Sequence, residues 1–380
     1  MDYKSRIHRL RQHMDDHNIK VSIISKPMNQ YYLTGFITIT YARPIITVVE
    51  MDRCTMVLPS IEENLARETS VADHFMAYHE HPEGQDRGLS HMAHLETILR
   101  RYPAGTQVGT ELGFISAIMA DSLRAKGYGL ADVNGFVMGM RQIKGQAELD
   151  IIRTAGRIVG LGVAKTIETS MPGNTETDID QAGTVTVTLE VLKALPDAIV
   201  DKFTMSPSGV ERTFLPHAPS GMRRLEAVDM VLHNRQLIIN GYHAECQRTY
   251  FIGKPTDKQR ELFGIMVEAQ QAAIDAVRPG IRACDIDNAA RAVIQKAGYG
   301  EMFNHRTGKG VGLEMLEEPF LRFDNTQMIE ENMVISLHPG LYSQSAGGFR
   351  HSDTVIGTKT GGEVVTRYPK SLECLILQWP

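Results

Sequence analysis

The chain has 380 residues, 42% of them hydrophobic and 22% charged, with a formal net charge of −5. That length suits two domains or one large one, with enough chain to bury a sizeable core. The charge excludes a basic field for nucleic acid, and no apolar run approaches the ~18 residues of a membrane span.

The opening MDYKSRIHRLRQHMDDHN places Ile7, Leu10 and Met14 at helical spacing and predicts an amphipathic helix over 3–18 rather than a signal peptide. Val21 to Ser25 predicts a strand, followed by strands around Ile45–Val49 and Thr55–Pro59 and helices near 88–101 and 113–126. This alternation predicts an α/β domain over residues 1–140 with its sheet covered by helices. A polar, glycine-containing stretch at 136–148 marks a boundary. Beyond it a long amphipathic helix runs to Pro172-Gly173, opening a second domain over 145–380.

The second domain contains an echo. The pattern PGxxxxDIDxA begins at Pro172 and again at Pro279, 107 positions on. Each copy reads as the end of one helix and the start of the next, with Pro-Gly as breaker and an acidic residue as cap. It predicts a duplicated α/β half, 145–270 paired with 271–380 about a pseudo-twofold axis, and a small-molecule cleft between them. The cysteines Cys54, Cys246, Cys284 and Cys374 form no CxxC pair, so they read as small buried hydrophobes of a protein in a reducing cytoplasm.

Polar residues suited to chemistry gather in four segments of this second domain: FLPHAPSGMRRLEAVD, MVLHNRQLIINGYHAECQRTYFIG, HRTGKGVGLEMLEEP and MVISLHPGLYSQSAGGFRHSDTVIG. Asn240-Gly241 signals a hairpin turn. Strand parity puts His243, Glu245, Gln247 and Thr249 on one face, and His233 and Asn234 on opposite faces. A face reading His-Glu-Gln-Thr must meet water, a ligand or buried polar partners.

These segments resemble, in order, those of the pita-bread family that includes methionine aminopeptidases, aminopeptidase P, prolidase and creatinase. MNQYYLTGF and MRQIKGQAELDIIR resemble the branch with an extra N-terminal domain. The resemblance covers nearly the whole chain and implies an α/β (α+β) fold: a creatinase/prolidase-like N-terminal domain, then a pita-bread domain. It also implies a homodimer in which the N-terminal domain completes a partner's site, with Tyr41 and Arg43 as candidate contributors. Peptidases of the family hold two divalent metals with two aspartates, a histidine and two glutamates. Those places carry Asn234, Glu245, Lys309, His338 and Ser352 here, so one of five keeps a carboxylate. Several anionic ligands are needed to offset two divalent cations, and a lysine adds positive charge. The resemblance to creatinase, which shares the architecture without a catalytic metal, and to ectoine hydrolases therefore points to a metal-independent hydrolase without cofactor. Its expected substrate is a small-molecule amidine, guanidino or amide compound cleaved at a non-peptide C–N bond.

In that reading His217, in a segment resembling creatinase's catalytic histidine, is the general acid/base, since imidazole titrates near neutrality. Glu245 and His338 act with it. Lys309, His243, Asn234, Gln247, Glu317 and Ser352 bind substrate, and Arg350 and Asp353 form a supporting ion pair. Rival readings are a hydrolase or lyase with one transition metal on His243, Glu245 and His338, a non-catalytic binding module, and an Xaa-Pro peptidase, which the missing ligands disfavour. The expected partners are a substrate and a second copy of the chain, with no nucleic acid and no membrane.

Overall fold

Asp2 starts the first helix by accepting the Ser5 amide at 3.0 Å, and the helix, α1 (Tyr3–Asp16), buries Ile7, Leu10 and Met14 as its spacing requires. The structure, a computed structural model, describes residues 1–39, 43–79 and 90–378. It divides into two units, Met1–Arg141 and Gln142–Pro380. Tyr41 lies outside the described residues.

The first unit is built on six strands: β1 (Ile19–Ile24), β2 (Ile46–Glu50), β3 (Cys54–Pro59), β4 (His74–Tyr78), β5 (Gln107–Thr110) and β6 (Gly129–Asp132), in the order β4-β3-β2-β1-β5-β6. The β1–β2 and β2–β3 pairs are antiparallel and the others parallel. Val21, Ile23, Val48, Val57, Leu95 and Leu123 form its core. Around the sheet lie α2 (Pro27–Thr34), α3 (Glu63–Thr69), α4 (His91–Leu99), α5 (Ala117–Ala125) and α6 (Asn134–Gln142). Two of these begin later than the sequence suggested. Ser90 and Ser116 accept the Ala93 and Met119 amides and fix the first turns of α4 and α5.

The second unit begins with α7 (Gln146–Glu168) and α8 (Glu176–Ala194), followed by β7 (Val200–Met205), the short helix α9 (Val210–Thr213), β8 (Met230–Ile239) and β9 (Tyr242–Ile252). Asn240 and Gly241, with φ of 48° and 81°, make the tight turn between β8 and β9. Then come α10 (Asp257–Ala276) and α11 (Ala283–Lys296). A sheet ordered β11-β10-β12-β15-β16 follows, comprising β10 (Gly308–Gly310), β11 (Glu317–Leu321), β12 (Val334–Leu337), β15 (Asp353–Thr358) and β16 (Gly361–Val364). The hairpin β13 (Gly340–Ser343)–β14 (Gly347–Arg350) stands apart, and β17 (Ile376–Leu377) borders β9. A continuous core joins both helix pairs to these sheets, including Val159, Val187, Ile239, Phe263, Ile286 and Ile335.

The sequence echo is a structural repeat. Gly173 and Gly280 each take a positive φ, and their amides donate to Leu225 and Ile329 carbonyls, both at 2.9 Å. Asp180 on α8 accepts the Ser206 hydroxyl just past β7 at 2.6 Å, and Asp287 on α11 accepts the Thr307 amide just before β10 at 2.9 Å. Each helix pair is thus pinned to its following strand. Two expectations need correcting. The N-caps are Thr175 and Arg282, with Asp178 and Asp285 three residues inside. The halves divide between Ile252 and Asp257, not at 270, because α10 is the partner of α11 and the counterpart of α7.

Cys54, Cys246 and Cys284 are buried, but Cys374 is exposed, because Leu375 beside it fills the core. Among the described residues no helix is long and apolar enough to cross a membrane.

Candidate active site

Glu245 lies on β9 opposite Gln236 of β8, and Gln247 lies opposite Asn234, so strand register gathers these four side chains on one face. Lys309 comes from β10 and places its ammonium 3.2 Å from the Glu245 carboxylate, with both residues buried. Gln247 donates to the same carboxylate, and Gln236 donates to it at 3.3 Å. The Glu245 carboxyl is held below its ordinary range. Burial pushes it up, but Lys309 and Arg350 and hydrogen bonds from Lys309 and Ser352 together outweigh that. Asn234 Oδ1 and Gln247 Oε1 are buried without partners.

This pair connects to an open cavity. The Ser352 hydroxyl meets Ser336 Oγ at 2.9 Å, and Ser336 Oγ meets His338 Nδ1 at 3.3 Å. A file of hydroxyls therefore runs from the Glu245 carboxylate to His338, which lines a cavity of 590 Å³. His217, His305, Tyr342 and Arg350 also line it. The His338 imidazole is held well below its ordinary pKa by burial first, then by Lys309, His305, Arg350 and Arg306. His217 is lowered too, by desolvation first and then by Arg350 and Lys309. Both shifts favour the neutral imidazole.

The structure thus brings Glu245, Lys309, Gln247, Ser352 and Asn234 into one buried cluster and puts His217 and His338 on the cavity wall. It keeps two expected substrate ligands elsewhere. Glu317 is buried against Lys144 at 3.4 Å and accepts the Glu314 amide at 3.1 Å, so its carboxylate is already engaged. His243 is away from the cavity lining, its ring Nδ1 is buried without a partner, and burial brings its pKa down to about 4. The supporting ion pair also differs. Asp353 opens β15 and meets Arg248 of β9 at 2.9 Å, whereas Arg350 ends β14 and bonds the Tyr342 hydroxyl at 3.1 Å. The two residues fall in different sheets, so their closeness in sequence does not bring them together. His305, Arg306 and Tyr342 were not singled out from the sequence. The His-Arg pair ahead of the Gly-Lys-Gly strand was the available signal.

The two-metal centre implied by the family does not fit this donor set. One carboxylate is present among the five positions that the resemblance assigns to metal ligands, and it already shares an oxygen with Lys309. Among the described residues no three His, Cys, Asp or Glu side chains are grouped to hold a metal ion. This also corrects the single-metal alternative, since His243, Glu245 and His338 do not converge: Glu245 turns to Lys309 and His338 to the cavity.

Residues 150–359 match the model of metallopeptidase family M24, and residues 6–143 match that of the creatinase/prolidase N-terminal domain. A relative from Pyrococcus furiosus named Xaa-Pro dipeptidase is 30% identical over 97% of this chain and 99% of its own. The prolidase structure from Pyrococcus horikoshii superposes with a TM-score of 0.84 at 27% identity, covering 97% of this chain and 99% of that one. The Xaa-Pro dipeptidase structure from Bacillus anthracis shares the fold, with a TM-score of 0.87 at 24% identity over 99% and 100% of the two chains. Relatives matching at full length are thus named for peptidases. This overturns the expectation that the bond cleaved is a non-peptide C–N bond. The chain belongs to metallopeptidase family M24, a family of hydrolases, and carries the creatinase/prolidase N-terminal domain ahead of its pita-bread domain.

Proposed function

We propose that this chain hydrolyses the peptide bond of a dipeptide-sized substrate of the Xaa-Pro kind. The observation that carries this reading is the cavity itself: His217 and His338 line it beside Arg350, which is buried and makes no ion pair among the described residues. A planar guanidinium suits a terminal carboxylate. The full-length relatives named Xaa-Pro dipeptidase support a peptide bond as the target.

In this proposal the oxygen of a water bonds to the carbonyl carbon while His217 takes its proton. The C–N bond then breaks as His217 returns that proton to the departing nitrogen, giving an acid and an amine. His338, kept neutral, donates to the developing oxyanion through the ring nitrogen not turned to Ser336. Its other side is held by the hydroxyl file to Glu245. Lys309, in the place where the resemblance puts a metal of the family's peptidases, pairs with Glu245 and fixes that end of the file. The proposal includes a homodimer, which light scattering in solution tests.

Release of free proline from a panel of Xaa-Pro dipeptides is the direct assay. The wild type should release it, and His217→Ala should lower kcat by roughly 10²–10⁴-fold with little change in KM. A second reading, a peptide-binding module without turnover, is favoured by the Lys309–Glu245 pair, which occupies the one carboxylate. Calorimetric binding of a dipeptide with no proline release would replace the first reading by the second.

A further inference from the structure

We propose that the ligand carries two anionic groups, one on Arg350 and a second on Arg306, so that the preferred dipeptide bears an acidic side chain as well as its terminal carboxylate. This rests on the reading above for the dipeptide and for a carboxylate at Arg350, while the second anion site rests on the cavity alone.

The charges of the cavity are unequally compensated. Four arginines line it, and no aspartate or glutamate does. Arg291 is neutralised by Asp287 at 3.0 Å and Arg322 by Asp324 at 2.8 Å. Behind the wall Lys309 is neutralised by Glu245. Arg350 and Arg306 make no ion pair among the described residues, and each has a buried Nε without a hydrogen-bond partner. Arg306 lies with its guanidinium 4.6 Å from the centre of the Phe320 ring, which supports the flat face and leaves the N–H edge for a ligand. Glu318 acts on Arg306 only from beyond ion-pair distance, so two half-buried or buried cations on one cavity lack the close partners that burial demands. A dianion supplies both. A zwitterion supplies one, and its ammonium finds no carboxylate on the cavity wall.

The test is calorimetric binding of glutarate and of pentanoate, which has the same carbon count and one carboxylate, at neutral pH in phosphate-free buffer of low salt. The wild type should bind glutarate about tenfold or more tightly than pentanoate. Arg306→Gln should erase that preference while keeping pentanoate affinity, and Arg350→Gln should weaken both. Arg153→Gln, on a distant groove and paired with Glu363, should change neither. Thermal melts of each variant establish that it is folded. Equal affinity of the wild type for the two probes would overturn the proposal, as would a preference that survives in folded Arg306→Gln. Glutarate preference without any dipeptide hydrolysis would sink the peptidase reading and leave this one standing.

Discussion

Asp180 and Asp287 hold matching places in the two halves of the second unit, and each ties a helix pair to the strand that follows. The polar side chains beyond those anchors diverge. In the first half Glu245, Gln247 and Gln236 are spent on one another and on Lys309, and only Pro216 and His217 reach the cavity. The second half supplies the rest of the cavity wall and leaves Arg306 and Arg350 without an ion pair among the described residues. The duplication therefore conserves its anchors while the facing strands separate into a buried cluster whose charges are paired and an open wall carrying arginines that are not paired among the described residues. The proposed ligand is the anion that would pair those arginines.

The strongest way to break the comparison is to cut the tie between halves. Arg248 of β9 and Asp353 of β15 form a buried pair at 2.9 Å, and Arg248 also donates to the Tyr368 and Pro369 carbonyls. Arg248→Ala should cost about 3–4 kcal/mol in denaturant unfolding, because buried Asp353 then keeps only the ammonium of Lys370, at 3.5 Å, as an ion-pair partner among the described residues. Lys309→Met should cost less, about 2–3 kcal/mol, since Glu245 keeps its amide donors. Adding Glu245→Gln should recover part of that loss, and strictly additive effects would show that the pair is not coupled.

Acid should loosen the second unit next. Burial holds His243 and His305 down to about 4 from an ordinary 6.5. Below pH 6.5 the unfolded chain therefore binds protons that the folded chain refuses. Stability is complete above 6.5 and falls as pH drops toward 4, by roughly 2 kcal/mol per imidazole at pH 5 before relaxation. Melting curves at pH 7 and pH 5 test the sign. The smallest effect should come from the anchors: Asp180→Asn and Asp287→Asn should each cost about 1–2 kcal/mol, and a large inequality would show that the halves are not equivalently pinned.

The hairpin turn at Asn240-Gly241 and the face shared by Glu245 and Gln247 were legible because turn chemistry and strand parity are local. The repeat was legible because its breakers and aspartates recur in register. The pairing of Glu317 with Lys144 was not, since the partner lies far off in the chain. Nor was the divorce of Arg350 from Asp353, which depends on two sheets parting between them. The cavity residues His305 and Arg306 sit on a loop between α11 and β10, where no period announces which side chains turn inward. The exposed Cys374 shows the same limit, because a hydrophobic neighbour took the buried place.

The proposal turns on Lys309 taking the place of metal in this chain. Its most direct test is proline release from an Xaa-Pro dipeptide after exhaustive chelation, by the wild type and by Lys309→Met, with and without added manganese. Turnover by the chelated wild type, unchanged by manganese and lost in folded Lys309→Met, is the predicted result. Turnover that appears only when manganese is restored, in proportion to metal bound, would contradict it.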